Sequence, residues 1–177
     1  KLRFRGASNS DDLFDITIYL SPGDVWTANV AANGELSALS TGDTSCTLPS
    51  IEQIKETAGK FSTNRVLNNA AAETREGYIE ILNVADVPQN LSDVDGTEFS
   101  PATANPLFAA IKHAISGANI GTATCAIADQ TKDVAAMDVN PAAPTDVNAA
   151  NVRGYSFPTG GLMANWFVMN LSKAGSF

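Results

Sequence analysis

The chain has a single histidine, His113, so any mechanism that needs an imidazole base must use this residue. A serine or cysteine nucleophile requires such a base within hydrogen-bonding reach, and no GxSxG-type elbow or other nucleophile motif is present in the sequence. His113 follows Lys112 in an Ala/Ile-rich helical pattern, where a surface or core-edge histidine is the ordinary explanation. We therefore assign no catalytic residue. One histidine and no close cysteine pair also argue against a zinc site.

The segment SDVDGTEF has the Asp-x-Asp-Gly pattern of a calcium loop, in which alternate oxygens converge around a bend that glycine permits. The candidate ligands are Asp93, Asp95 and Glu98. The segment lacks the third aspartate, the loop length and the terminal bidentate glutamate of an EF-hand. An Asx turn is the ordinary alternative, so calcium is the one candidate cofactor that we retain.

A second acidic group comprises Asp11, Asp12 and Asp15. Glycoside hydrolysis needs two carboxylates that face each other across a cleft, and an acidic β-protein offers such pairs by chance. The sequence singles out no pair. We predict that the protein is not an enzyme, and a glycan-acting enzyme is the lesser alternative.

The sequence contains two sequons for N-linked glycosylation, Asn90-Leu-Ser92 and Asn170-Leu-Ser172. The second lies inside a predicted strand, so only Asn90 is a candidate surface site.

Cys46 and Cys125 are the only cysteines. A disulfide between them would close a loop of about 80 residues and stabilise the fold by roughly 4 kcal/mol through loop-closure entropy. Two buried thiols in a cytosolic protein are the alternative. Both cysteines lie in Ser/Thr-rich segments, DTSCT and TATCA, so we favour the disulfide and an oxidising, extracellular location.

The composition of the chain limits the classes of partner that it can bind. A chain of 177 residues with 44% hydrophobic and 17% charged residues can build one domain with a real core, and no apolar run is long enough to span a membrane. The net charge of −8, with no basic cluster, argues against nucleic-acid binding. The chain lacks an initiator Met and begins inside an alternating pattern, KLRFR, which indicates a mature or incomplete fragment.

Residues 13–40 predict a three-stranded antiparallel meander. Apolar and polar side chains alternate over residues 14–20, the period of a half-buried strand. Pro22-Gly23 fits a type II turn, and Asn33-Gly34 is the strongest short signal for a type I′ hairpin. The expected inward positions of the middle strand are Trp26, Ala28 and Val30.

Two helices are predicted beyond the meander. Ser50 and Gln53 have the spacing of a capping box, and Gly59 ends the first helix. Asn105-Pro106 begins the second, which Gly117 closes. Its apolar stripe consists of Phe108, Ile111 and Ile115.

The remaining strands are predicted at 77–84, 152–157 and 164–171. Both faces of the last strand are apolar, which is typical of a strand covered on each side. We predict a single domain over residues 1–177, mainly β, as an antiparallel β-sandwich or jelly-roll-like fold with a helix-containing insert at about 85–150.

Three ordered blocks resemble a family of exported surface proteins of Gram-negative bacteria. They are FRGASNSDDLFDITIYLSPGDVWTANV, TGDTSCTLP and ETREGYIEILNVADV, at residues 4–30, 41–49 and 73–87. The resemblance implies export, a β-rich fold and further β sequence upstream of Lys1. It implies no particular activity.

The leading functional prediction is a secreted structural protein that polymerises with copies of itself into a filament or surface layer. The first and last apolar strands lie at the chain ends, where unpaired edges invite strand addition. The predicted interface residues are Leu2, Phe4, Trp166, Phe167, Val168, Met169 and Leu171. The alternative is a monomeric adhesion or glycan-binding module that uses the loops 6–12, 41–50 and 89–104.

Overall fold

The computed structural model describes residues 1–92, 97–98, 100–114, 121, 123–125, 155–156 and 158–166. This part of the chain is mainly antiparallel β-sheet with few short helices, which confirms the predicted class. The strands are β1 Leu2–Gly6, β2 Asp12–Ile18, β3 Asn29–Asn33, β4 Leu36–Ser40, β5 Thr47–Leu48 and β6 Gly77–Ile81. The helices are α1 Ile51–Glu56 and α2 Pro106–Ile111, and two 3₁₀ segments cover Leu67–Asn69 and Ala71–Thr74.

The larger sheet has four strands in the order β5-β2-β1-β6. The prediction that the first strand is an exposed edge is wrong, because β1 pairs with β2 on one side and with β6 on the other. Phe4 is only 5% exposed, and Leu2 packs against the core. These two predicted interface residues therefore lie inside the domain.

The predicted three-stranded meander is also wrong, because β3 and β4 form a separate two-stranded sheet. The type II turn at Pro22-Gly23 is confirmed: the Asp24 N–H donates to the Ser21 carbonyl at 2.9 Å, and Gly23 has φ 80°. After this turn the chain does not return along β2, because β5 occupies that side through the pairs Thr17–Leu48 and Ile18–Thr47.

The β3–β4 hairpin forms with a turn shifted by one residue from the prediction. Asn33 pairs with Leu36, so the central turn residues are Gly34 and Glu35. Only Gly34 has positive φ, as in a type II′ turn. Of the three predicted inward side chains, Trp26 packs against the main core, whereas Ala28 and Val30 are exposed.

The main core joins the two sheets and α1. It consists of Phe4, Leu13, Ile16, Leu39, Ile54, Phe61 and Val66. The rings of Phe4, Phe14 and Phe61 contact one another, with centroids 5.0 to 6.1 Å apart. A register shift opposite Phe4 and Arg5 leaves Leu13 without a partner in the β1–β2 ladder, and its side chain is buried although its parity differs from that of Ile16.

The capping box of α1 is confirmed. Ser50 Oγ accepts from the Gln53 N–H, and the Ser50 N–H donates to Gln53 Oε1. After the helix, Gly59 adopts φ 65° and its N–H donates to the Ile54 carbonyl at 2.8 Å. The Gly59 carbonyl accepts from the Leu39 N–H at 2.9 Å, so this glycine attaches the end of α1 to β4.

A second core surrounds the disulfide between Cys46 and Cys125, which the structure forms as predicted. Its buried residues are Tyr19, Cys46, Leu107 and Ile111. Helix α2 begins with the predicted Asn105 cap but ends at Ile111, because Lys112 adopts an extended conformation with ψ 128°. His113 therefore follows the helix instead of lying within it. Ile115 and Gly117 lie outside the described residues.

The predicted closing strands are described only in part. Ser156 forms an isolated antiparallel bridge with Asp86, and residues 164–166 are not in a strand. The predicted interface residues Phe167, Val168, Met169 and Leu171 lie outside the described residues, as does most of the predicted insert beyond residue 114. Within the described ranges, no helix has the length and apolar character needed to cross a bilayer.

Candidate interface at the edge of the larger sheet

Strand β6 is an edge of the larger sheet and, among the described residues, it pairs only with β1. The backbone nitrogen of Lys1 donates to the Leu82 carbonyl at 2.6 Å, and the Leu82 N–H donates to the Lys1 carbonyl at 2.8 Å. Bonded pairs alternate along an antiparallel ladder, so Tyr78 and Glu80 also bond to β1. Ile79 and Ile81 therefore turn their N–H and C=O groups away from the sheet, where a further strand would bind.

The same two residues expose apolar side chains. Ile79 lies opposite Phe4 and Ile81 lies opposite Leu2, so both are on the core-facing side of the sheet. They nevertheless remain 50% and 47% exposed, because the core does not extend over this edge. An edge strand normally carries a lysine, a proline or an inward charge against pairing with other chains, and the sequence GYIEI has none of these on that side.

The opposite face of the sheet is a ladder of ion pairs. Lys1 and Arg3 contact Asp15, with N–O distances of 3.1 and 3.5 Å. Arg3 and Arg5 contact Glu80 at 3.6 and 3.3 Å. These contacts fix the one carboxylate of β6 on the face away from the core, so the charge does not interrupt the apolar edge.

Further apolar side chains are exposed after β6, although Leu82 has the parity of Glu80 and so lies on the ion-pair face. Leu82 is 41% exposed and Val84 is 54% exposed. Of the predicted interface residues, Trp166 lies on the described surface and is 83% exposed. The alternating pattern at residues 77–84 predicts this strand but not its edge position. The signal that could have revealed it is the pair of isoleucines with no charged residue on their side.

The three residue types of a hydrolase triad, serine, histidine and aspartate, lie close together around His113. Ser21 Oγ and Asp24 Oδ2 lie 3.0 and 3.3 Å from the same ring atom, Nδ1 of His113. A relay needs the nucleophile on one ring nitrogen and the carboxylate on the other, and this cluster does not have that arrangement. Ser45 Oγ also donates to Asp24 at 3.1 Å, so the cluster joins the Pro22-Gly23 turn to the disulfide segment and to the end of α2.

The calcium and glycosylation candidates lie next to each other. Asn90 Nδ2 donates to Glu98 Oε2 at 3.4 Å, and Asn90 is half-buried. Asp93 and Asp95 lie outside the described residues. No group of three or more acidic, histidine or cysteine side chains in the described part of the chain is placed to hold a metal ion.

The loop at residues 6–12, predicted as a contact surface in the adhesion alternative, borders a shallow polar depression. The depression is lined by Asn9, Asp11, Asn64, Arg65, Val66, Leu67 and Asn68. Asp11 Oδ2 accepts from the Leu67 N–H at 3.3 Å, which joins its two sides. Ser10 and Asn68 have φ values of 57° and 58°, uncommon for residues with a side chain, so the backbone around the depression is constrained.

The resemblance to exported surface proteins stays a prediction. No family model, no curated protein and no solved structure matches the chain.

Proposed function

We propose that the protein is a non-enzymatic structural protein, exported by a bacterial cell, whose copies associate by strand pairing at β6 into a filament or surface layer. The observation that carries the proposal is the open edge of β6, where unpaired backbone groups and exposed isoleucine side chains coincide at Ile79 and Ile81. Backbone hydrogen bonds would supply affinity, and the apolar side chains would be buried by the incoming strand.

The physical scale of this edge suits a polymer better than a tight dimer. Strand β6 has 5 residues, so one strand pair buries less area than the interfaces of about 1,200–2,000 Å² that hold stable complexes. Each contact is therefore weak alone, and a surface assembly would be stabilised by many such contacts between its copies. The net charge of −8 makes copies repel one another at low ionic strength. At about 0.1 M salt, this repulsion is largely screened between charges more than about 10 Å apart.

The proposal includes an extracellular location and a β-sandwich or jelly-roll-like arrangement. The disulfide supports the location, because such bonds persist in oxidising compartments. The main core supports the layered arrangement, because Leu39 of the smaller sheet packs in the same cluster as Phe4 and Ile16 of the larger sheet.

Substitution of Ile79 by lysine should weaken self-association. The ammonium group would have to be desolvated between two strands, and exposed edges are protected in this way in natural sheets. We expect the concentration at half-assembly to rise at least about tenfold, since burial of an unpaired charge costs more than 1.4 kcal/mol. Sedimentation velocity across a concentration series and negative-stain electron microscopy measure this effect.

Leu67→Lys is the matched control, because Leu67 is 64% exposed and lies in a 3₁₀ segment away from β6. It should assemble as the unsubstituted protein does. Monodisperse monomers of the unsubstituted protein at millimolar concentration would refute the proposal, and so would equal assembly of Ile79→Lys.

A second candidate is a monomeric glycan-binding module, which the polar depression favours. Asparagine, aspartate and arginine side chains can hydrogen-bond sugar hydroxyls in pairs, and Leu67 offers an apolar surface beside them. This candidate predicts saturable binding to immobilised glycans, with at least about tenfold loss in Asn64→Ala, because removing hydrogen-bond partners costs about 1–3 kcal/mol. The control Asn83→Ala removes an exposed asparagine away from the depression. Absence of binding across a glycan array would exclude this function.

A further inference from the structure

The smaller sheet has an open edge of its own, along β3. Asn33 and Leu36 flank a two-residue turn and form a bonded pair, so Asn29 and Ala31 also bond to β4. Val30 and Ala32 therefore direct their N–H and C=O groups away from β4. No described residue supplies a hydrogen bond to these groups, and β3 carries no charged side chain.

The far side of the same sheet is occupied, which makes β3 its only open rim in the described part of the chain. The Leu39 N–H donates to the Gly59 carbonyl at 2.9 Å, and the Phe61 N–H donates to the Ser37 carbonyl at 2.9 Å. The Ser37 N–H also donates to Thr74 Oγ1 at 3.0 Å. Three of the four backbone groups that Ser37 and Leu39 turn away from β3 are thus bonded, and Lys60 bridges Ala38 on this side. An incoming strand can extend this sheet only along β3.

We infer that β6 of one copy pairs antiparallel with β3 of the next. This inference rests on the proposed function and names the partner strand that the function requires. Both strands have 5 residues; β6 turns the backbone groups of Gly77, Ile79 and Ile81 outward, and β3 turns those of Val30 and Ala32 outward.

One register places both isoleucines of β6 opposite the two outward-facing residues of β3. If Ile81 lies opposite Val30 of the next copy, Ile79 lies opposite Ala32, and each pair can exchange two backbone hydrogen bonds. Val30 is on the same face as the buried Leu39, and the isoleucines are on the face of Phe4, so the apolar faces of the two sheets become continuous. Glu80 then lies opposite Ala31, and no like charges meet.

Pairing of β6 with a second β6 is less favourable in the symmetric registers centred on Glu80 and on Ile79. A two-fold axis at Glu80 places two carboxylates opposite each other, which is destabilising in a strand pair. A two-fold axis at Ile79 places Ile81 opposite Gly77, which has no side chain to cover it. The uncharged β3 strand avoids both problems.

The consequence is a head-to-tail contact. The two surfaces are different, so each copy keeps one free β6 edge and one free β3 edge after pairing, and growth continues at both ends. Heterologous contacts that do not close give open filaments. A β6–β6 contact would stop at a dimer.

Two charge variants test the inference by complementation. Ile79→Lys blocks β6 and leaves β3 intact, and Val30→Lys blocks β3 and leaves β6 intact; Val30 is 43% exposed, so the substitution fits the folded monomer. At the concentration at which the unsubstituted protein begins to polymerise, each variant alone should be monomeric. An equimolar mixture at the same total concentration should form one-to-one dimers and stop there, because each dimer contains two blocked edges. Sedimentation velocity distinguishes the monomer, the capped dimer and the polymer, and circular dichroism checks that both variants are folded.

The outcomes separate this inference from the proposed function. If Ile79→Lys is monomeric while Val30→Lys polymerises as the unsubstituted protein does, association at β6 stands and β3 is not its partner. If the unsubstituted protein never assembles, both fail. A second measurement uses differently tagged Ile81→Cys and Val30→Cys chains under mild oxidation. Disulfide-linked heterodimers support the register, and equal linking of Ile81→Cys with itself overturns it.

Discussion

Opening the Cys46–Cys125 disulfide should lower the free energy of unfolding by about 4 kcal/mol, a large fraction of the stability of a domain of this size. The bond closes a loop with a sequence separation of 79 residues, so its loss returns much conformational freedom to the unfolded chain. Cys46 is 1% exposed within the second core, which also loses a packing contact. Urea denaturation of the oxidised and reduced protein measures the difference.

The variant with both Cys46→Ala and Cys125→Ala should match the reduced protein and show no response to reductant. Alanine is preferred to serine here, because a hydroxyl at the buried Cys46 position would add a separate desolvation cost. Equal midpoints for the oxidised and reduced protein would contradict the prediction. A large loss of stability would also make a reducing compartment a poor environment for the domain.

Gly59→Ala should be strongly destabilising, by about 3 kcal/mol. An alanine at φ 65° costs about 1–2 kcal/mol of backbone strain. The new Cβ would lie 1.8 Å from the Leu39 carbonyl oxygen, so β4 must move and the hydrogen bond between Gly59 and Leu39 weakens by about 1 kcal/mol. Thermal and urea unfolding measure the loss.

Substitutions at two other glycines separate the cost of backbone strain from the cost of the steric clash. Gly34 has φ 66°, but an added Cβ would have no atom within 4 Å. Gly34→Ala should therefore lower the free energy of unfolding only by the backbone strain of about 1–2 kcal/mol. At Gly42 the backbone φ is not positive and an added Cβ would have no neighbour within 4 Å. Gly42→Ala should therefore change the free energy of unfolding by less than about 0.5 kcal/mol. If all three variants have equal stability, the contact between α1 and β4 is not as described.

Local signals in the sequence predicted the local structure well. Ser50 and Gln53 form the capping box, Pro22-Gly23 forms its type II turn, and Asn105 caps α2. In each case the interacting groups lie within a few residues of one another, so the side chains themselves specify the geometry. The alternation over residues 14–20 likewise predicted a half-buried strand, but β2 ends at Ile18, and Tyr19 is buried whereas Leu20 is 37% exposed.

Strand order could not be predicted, because it depends on contacts between distant segments. A strand of 2 residues, β5, displaces the expected return of the chain beside β2, and so short a strand has no periodicity to detect. The edge position of β6 follows from its pairing with β1, and no residue near Ile79 encodes that partner. The assignment of Phe4 to an interface failed for the same reason.

The pairing of β1 with β6 spans most of the described chain, since the Lys1 and Leu82 backbones bond across a separation of 81 residues. Contacts of such long range form late in folding, because they close large loops. While a chain is still being synthesised, the rim of β1 and the side chains of Leu2 and Phe4 remain uncovered. The surface proposed for polymerisation therefore exists only on a finished domain, and nascent chains present a different one that chaperones would have to shield.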